Sequence, residues 1–534
     1  FMDPSSGSST SSSSQSVDTI LHSLKAAIWA RRPILGEIMT KHGEQNLFEY
    51  SLDFMDVNAA PLLDARKEEL IGIFEELLGD RLGKTVAADV AAQLRRLALV
   101  STTDHHGPIQ HPFFLNANIV SALPVLDRSA DWDYYKYLVV LSFASISVNN
   151  ASTYTRGVMF HGGMNGSGNL IRLPILPDKL KMGVVYATRG FSREDLSKAE
   201  DELMKKEQKG EIAKGRGEKL RAFMEKYFGT ADVLEAPDLN AQITKINYHM
   251  WPQFFHKPGG EASGHMPDLI YYEIETLVAE MLQRVHLKQP ESLLYKVLFD
   301  PSYRDLLLKY FNNLPGAFSL EKEWGTYLFW GLDDKQHRVR LKLEGDKITS
   351  FGGTISSELT PDAIGQALKN KTIYPSMMLC YMMVSLYYGM KCLGGFCQVH
   401  DLTVMKEAWE KLLRDAGKME EAEAAAPIQT KELGGDGMVL SYMHTPNSEV
   451  VPATGFDMLL DSGDTTADHY LALSKKVTLG EIMNPMLPEI YTVLYPIDER
   501  DPALTTLLPE KIFRDTGLEN KLIEHTSLTT SANG

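Results

Sequence analysis

The stretch from residue 85 to residue 148 constrains the fold more than any other part of the chain. TVAADVAAQLRRL (85–97) carries apolar residues at helical spacing, with Thr85 placed to cap it. It runs into a short apolar and β-branched segment, 97–102, which reads as a strand. A polar loop follows, then a helix over 112–125, then YLVVLSFASISV (137–148). That last run is nearly continuous in apolar or small residues, as central parallel strands are when both their faces are buried. Helix, strand, loop, helix, strand predicts an α/β fold, a Rossmann-like open parallel sheet core with helical additions. Ligands of such sheets sit beyond the carboxyl ends of the strands. The loops 102–111 and 149–155 are therefore the first places to look for a site.

The rest of the 534-residue chain is compatible with one elaborated core. Hydrophobic residues make up 44%, enough to fill a large interior. Fifty-four Lys and Arg against 70 Asp and Glu give a net charge of −16, which argues against a chain-wide binder of nucleic acid or anionic membrane. Three cysteines, Cys380, Cys392 and Cys397, are too few for a disulfide framework and suit a reducing, cytoplasmic setting. No apolar run reaches the ~18–20 residues of a membrane span. Residues 1–17, rich in Ser, lack the features of a signal peptide and read as a disordered or appended tail.

The expected organisation is a first part of the core over 18–191, a polar helical arm over 192–228, a second part over 229–417, and a linker with a C-terminal region over 418–534 packing on the core. The arm is very polar, so it is expected to project and to offer a surface for a homodimer or another partner. Residues 268–287 read as an amphipathic helix, 325–331 with 338–343 as a hairpin, 376–390 as a buried helix and 403–416 as another helix.

Chemistry concentrates in a few segments. STTDHHGPIQHPFFLNAN (101–118) holds Asp104, His105, His106 and His111 within eight positions, with Asn116 and Asn118 on the helix that follows. Polar groups buried without partners cost about 1–3 kcal/mol each, so a plain core has no use for so many. Asp104, His105 and His106 are the candidate catalytic groups. As a set with His111 they are also candidate ligands of a divalent metal. The Asp-His-His triplet is similar to that of manganese-dependent phosphoesterases, but Asp53 and Asp56, the nearest match to that family's earlier motif, have the wrong spacing. Asn149 and Asn150 end the second predicted strand. FHGGMNGSGN (160–169) supplies His161, Gly162, Gly163 and Asn165 in a loop rich in accessible backbone N–H groups, suited to an anionic or nucleotide-like ligand. CLGGFCQVHD (392–401) supplies Gly394, Gly395, Gln398 and His400. The aromatic stretch 247–265, with three His, suits a pocket wall or a core edge.

Residues 103–112, Thr-Asp-His-His-Gly-Pro-Ile and then His111-Pro112, resemble in place the Thr-Gly-Gln-Gln-x-Gly-Leu-x-x-Gly-Pro loop of the bacillithiol-biosynthesis cysteine-adding ligase family. Residues 137–150 resemble that family's next strand. Gly394-Gly395-Phe396-Cys397-Gln398 is similar in position to its Gly-Gly-Pro-Gly-Glu turn. His105-His106 replace Gln-Gln, and Asn149-Asn150 stand where the family has an acidic loop. The resemblance implies a Rossmann-like core and an enzyme that joins a small nucleophile to a polar metabolite, with a changed substrate. The sequence thus predicts a ligase- or transferase-type enzyme of small-molecule metabolism, with a histidine general base acting on an amine or thiol. A metal-dependent hydrolase using the Asp-His-His loop is the alternative. A non-catalytic binding or scaffold protein that uses the arm is a third reading. A nucleotide or a divalent metal is the expected cofactor.

Overall fold

Four parallel strands carry the site in the computed structural model, which describes residues 16–127, 132–163, 169–255, 266–444, 450–461 and 466–523. They are Leu99–Ser101, Tyr137–Ser142, Asp268–Glu273 and Lys391–Leu393. In space the strand 391–393 lies beside 99–101, followed by 137–142 and then 268–273. Val100 stands opposite Cys392, Ser101 opposite Val140, and Val139 opposite Ile270. Side chains alternate between two cores, as the period of two requires. Leu99, Leu138, Val140, Leu269 and Tyr271 enter one. Val100, Val139, Leu141, Ile270 and Tyr272 enter the other.

Helices cover both faces. Pro112–Leu126 and Leu239–Met250 bury Leu115, Ile119, Ile243 and Ile246 in the first core. Pro61–Leu82, Lys84–Arg96 and Ile274–Arg284 bury Phe74, Val90, Leu94 and Leu277 in the second. The fold is mixed α/β. The chain steps from 99–101 to 137–142 to 268–273 in one direction. It then returns to lay 391–393 on the far side of 99–101. The strand order therefore reverses at the seam between 99–101 and 391–393, the place where open sheets leave a crevice. A second, five-stranded antiparallel sheet contains the expected hairpin, Phe329–Leu332 against Arg338–Glu344.

Several expectations need correction. Residues 268–287 are not one helix. DLIYYE is a strand, and the helix begins only at Ile274. A short apolar run satisfies both periods, and its aromatic and β-branched content decides for the strand. The run 137–148 leaves the sheet after Ser142. Residues 376–390 form a helix only over Met377–Tyr381 and continue as a π-helical stretch, Met382–Tyr387.

The polar segment 192–228 does not project. Its helices, Arg193–Gln208 and Arg216–Tyr227, bury Leu196, Ala199, Leu203, Leu220, Met224 and Tyr227 in the first core. Few apolar residues suffice when all fall on one face. Among the described residues no helix is long and apolar enough to cross a membrane. Asn165, residues 1–15 and residues 256–265 of the aromatic stretch lie outside the described residues.

Candidate functional site

The Asp-His-His loop does lie at the carboxyl end of the strand 99–101, and its backbone stays extended. His106 N–H donates to Phe143 O at 2.8 Å, and Phe143 N–H to Asp104 O at 2.9 Å. Extended backbone sends neighbouring side chains to opposite sides, so Asp104 and His106 turn inward and His105 turns outward.

The inward pair is structural. His106 is fully buried. Its Nε2 donates to Asn240 O at 3.2 Å, so Nδ1 accepts from Ser142 Oγ, 2.7 Å away. Glu273 Oε2 lies 3.8 Å from Nε2. Ser142, His106 and Glu273 have the residue types of a nucleophilic triad, but all three are sealed from solvent. Glu273 is also held in a bidentate ion pair by Arg81. Burial lowers the His106 imidazole to about 4, with Glu273 opposing. Asp104 is equally buried. Its Oδ2 accepts from Asn118 Nδ2 at 2.6 Å and from the Tyr271 hydroxyl, while Oδ1 has no partner. Burial pushes its carboxyl up to about 7, against those two hydrogen bonds.

His105 faces a cavity of about 370 Å³ at the seam between the strands 99–101 and 391–393. Thr102, Thr103 and His105 come from the first strand's loop. Gly395, Phe396, Cys397, Gln398 and Asp401 come from the loop and helix after the second strand. Phe113, Phe114, Phe143, Ser152, Met377 and Tyr381 form walls, and Asp436, Glu489 and Val493 close the remaining side. Gln398 Nε2 donates to Thr102 Oγ1 at 2.6 Å and ties the two strand ends together. Burial lowers the His105 imidazole to about 4, and a hydrogen bond with Asn150 opposes this. Ser152 Oγ donates to Asn150 Oδ1 and lies 3.3 Å from His105 Nδ1. His105 Nδ1 therefore donates to Ser152, and Nε2 keeps its lone pair.

A second cavity, of about 350 Å³, shares His105, Phe143 and Met377 with the first. Trp324, Trp330, Ser145, Thr326, Ser376 and Arg338 also line it. The Arg338 guanidinium lies over the Trp330 ring at 4.3 Å and donates to Ser145 O at 2.8 Å. The first cavity is acidic, and the second carries a guanidinium. His105 is the polar group common to their walls.

The other expected site residues are placed elsewhere. His111 caps the helix Pro112–Leu126, its Nδ1 accepting from Phe113 N–H at 3.2 Å, and burial lowers it to about 3. Asn116 braces Leu440 and Ser441 N–H. Asn118 orients Asp104. Asn149 is exposed, and Asn150 folds its own loop through Ser152 and Thr153. His161 Nδ1 donates to Asp457 Oδ2 at 2.6 Å, and Arg216 joins Asp457 to Asp461. His161 and Gly162–Gly163 line neither cavity. Gly394 pairs with the backbone of Leu433. His400 turns away, because the helix Gln398–Asp415 begins at 398 and Gln398 and Asp401 share its cavity face. The set Asp104, His105, His106 and His111 does not converge. Among the described residues no group of three or more His, Cys, Asp or Glu side chains does so.

The sequence reading missed Asp401, Asp436 and Glu489. One signal was present: Asp436 sits in Gly434-Gly435-Asp436-Gly437, and Gly435 and Gly437 have φ of 107° and 80°. A side chain at Gly395 would place its Cβ 2.5 Å from Asp436 Oδ2, so this glycine makes room for the carboxylate. Burial, with Asp104 and Glu489 adding repulsion, pushes Asp436 up to about 7. Burial likewise raises Asp401 to about 6, with Arg32 opposing. No protein-family model matches the chain, and no curated protein matches it.

Proposed function

We propose that the protein is a small-molecule enzyme of the ligase or transferase type on a Rossmann-like core, joining an amine or thiol nucleophile to a polar, acidic metabolite. The observation that carries this reading is the pair of cavities, one acidic and one bearing Arg338, with His105 in both walls. Two adjoining chambers of opposite character suit two reactants of opposite character, the nucleophile in one and the acidic partner in the other. The proton acceptor moves from where the sequence put it. An imidazole held near 4 is a weak base at neutral pH, whereas a carboxyl near 7 is matched to the task. Asp436 takes the proton of the nucleophile. His105 stays neutral and positions the reacting groups through Nε2. Arg338 and the Trp330 face hold the acidic partner.

The test is a metabolite extract incubated with the protein, with and without magnesium–ATP, and followed by mass spectrometry. Two species should fall together and one joined species should rise beside the group it displaces, either the leaving group of a transferase donor or, when ATP drives the joining, ADP or AMP with phosphate. His105→Ala and Asp436→Asn should each slow this by about 10²-fold or more. One species falling while two rise would support hydrolysis and overturn the joining reading.

A further inference from the structure

We infer that the chamber between Thr102 and Asp436 takes its ligand as an organic ammonium, with Asp401 as the charged anchor. The inference rests on the joining reading above and selects the amine over the thiol. Among the described residues no lysine or arginine lines this chamber, although three carboxylates do.

Asp401 is the telling one. It is only 8% exposed and lines the cavity; its Oδ1 is sealed in the protein without a hydrogen bond, and Oδ2 is the oxygen left to meet a ligand. Arg32 acts on it from beyond ion-pair distance. A buried charged group without a partner is costly, so this carboxylate is built to meet something that enters the cavity. The backbone gives way to it. A Cβ at Gly316, whose φ is 75°, would lie 2.9 Å from Asp401 Cβ.

The remaining walls are aromatic, with Phe113, Phe114, Phe143 and Phe396 among them. Ring faces attract organic cations. A thiolate would meet like charge there. A hydrated divalent ion would face apolar walls without a converging ligand set. About 370 Å³ admits a short aliphatic amine.

The experiment is calorimetric titration of the full chain with three probes of one shape: pentylamine, pentan-1-ol and pentanoate. Pentylamine should bind about tenfold or more tightly than the alcohol, with pentanoate weakest, and Asp401→Asn should abolish that preference. Val493→Lys, at a 58%-exposed position on the rim, should weaken pentylamine about threefold by bringing a competing ammonium to the mouth. Equal affinity of the three probes for the unmodified chain overturns the inference. It leaves the joining reaction standing, since that is read from product formation. Full preference in a folded Asp401→Asn variant, or competition by equimolar magnesium, overturns it as well. Should Asp401→Asn fail to fold, undiminished pentylamine affinity in Val493→Lys is the overturning result.

Discussion

His105 and His106 are neighbours in sequence with opposite fates, and their alanine variants should separate cleanly. His106→Ala leaves a void and strands the hydrogen-bonding groups of Ser142 and Asn240. It should destabilise the fold by about 2–4 kcal/mol, read from the denaturant midpoint. His105→Ala, at a cavity wall, should cost less than about 1 kcal/mol while removing turnover. Asp104 makes a pH prediction. Its carboxyl is raised to about 7, so the folded state holds that proton more tightly than the unfolded chain. Its contribution is full below about 3.8 and is lost as pH rises towards 7. His105 and His106, lowered from 6.5 to about 4, act the other way. Their contribution is present above 6.5 and is lost as pH falls towards 4. The two slopes oppose each other between pH 4 and 6.5. Asp104→Asn removes one of the falling contributions and leaves those of Asp401 and Asp436, so stability of that variant should rise more steeply with pH across this window. Urea midpoints at several pH values check it, and an unchanged profile would mean that Asp104 titrates normally.

Among the elements, the helix pair 193–208 and 216–227 most clearly separates composition from packing. Replacing residues 192–226 by a short Gly-Ser linker should abolish cooperative unfolding, because Leu203 and Met224 are completely buried. Leu203→Ala alone should cost about 2–5 kcal/mol. Gly395→Ala is a milder probe. Its Cβ meets a carboxylate rather than the backbone, so it should leave melting nearly unchanged and impair the site by displacing Asp436. The same elements show what the sequence could tell. The strand 99–101, its loop, the helix 112–126 and the strand 137–142 were legible because continuous apolar runs between polar loops admit few alternatives. The placing of the Asp104–His111 loop at the carboxyl end of 99–101 followed from the helix–strand–loop pattern. The three-residue strand Lys391–Leu393 is too short to carry any period, and the strand 268–273 merges with an apolar helix. The carboxylates were illegible for another reason. Asp401 is ordinary in sequence, the glycines around Asp436 mark only a tight turn, and it is the return of the chain across the sheet that brings both to one cavity.

At the scale of the molecule, the two ends of the described chain share one core. Leu24 and Ile28 near the start pack in the same cluster as Ile490, Phe513 and Leu522 near the end. Leu47 N–H donates to Val477 O at 2.9 Å, and the Tyr495 hydroxyl to Ala27 O at 2.7 Å. A chain truncated after residue 417 should therefore expose apolar surface and bind a hydrophobic dye strongly instead of melting cooperatively. A sharp melt of that fragment would show that 418–534 is an accessory. The seam between 99–101 and 391–393 has a consequence during synthesis. A ribosome adds about 5–20 residues per second, so Leu393 follows Ser101 out of the exit tunnel after an interval on the order of 15–60 seconds. Throughout that interval Leu99 and Val100 present an unpaired parallel edge, and their β-sheet partner does not yet exist. The nascent chain carries that open strand edge until then, and the crevice between the two strands is among the last features to form.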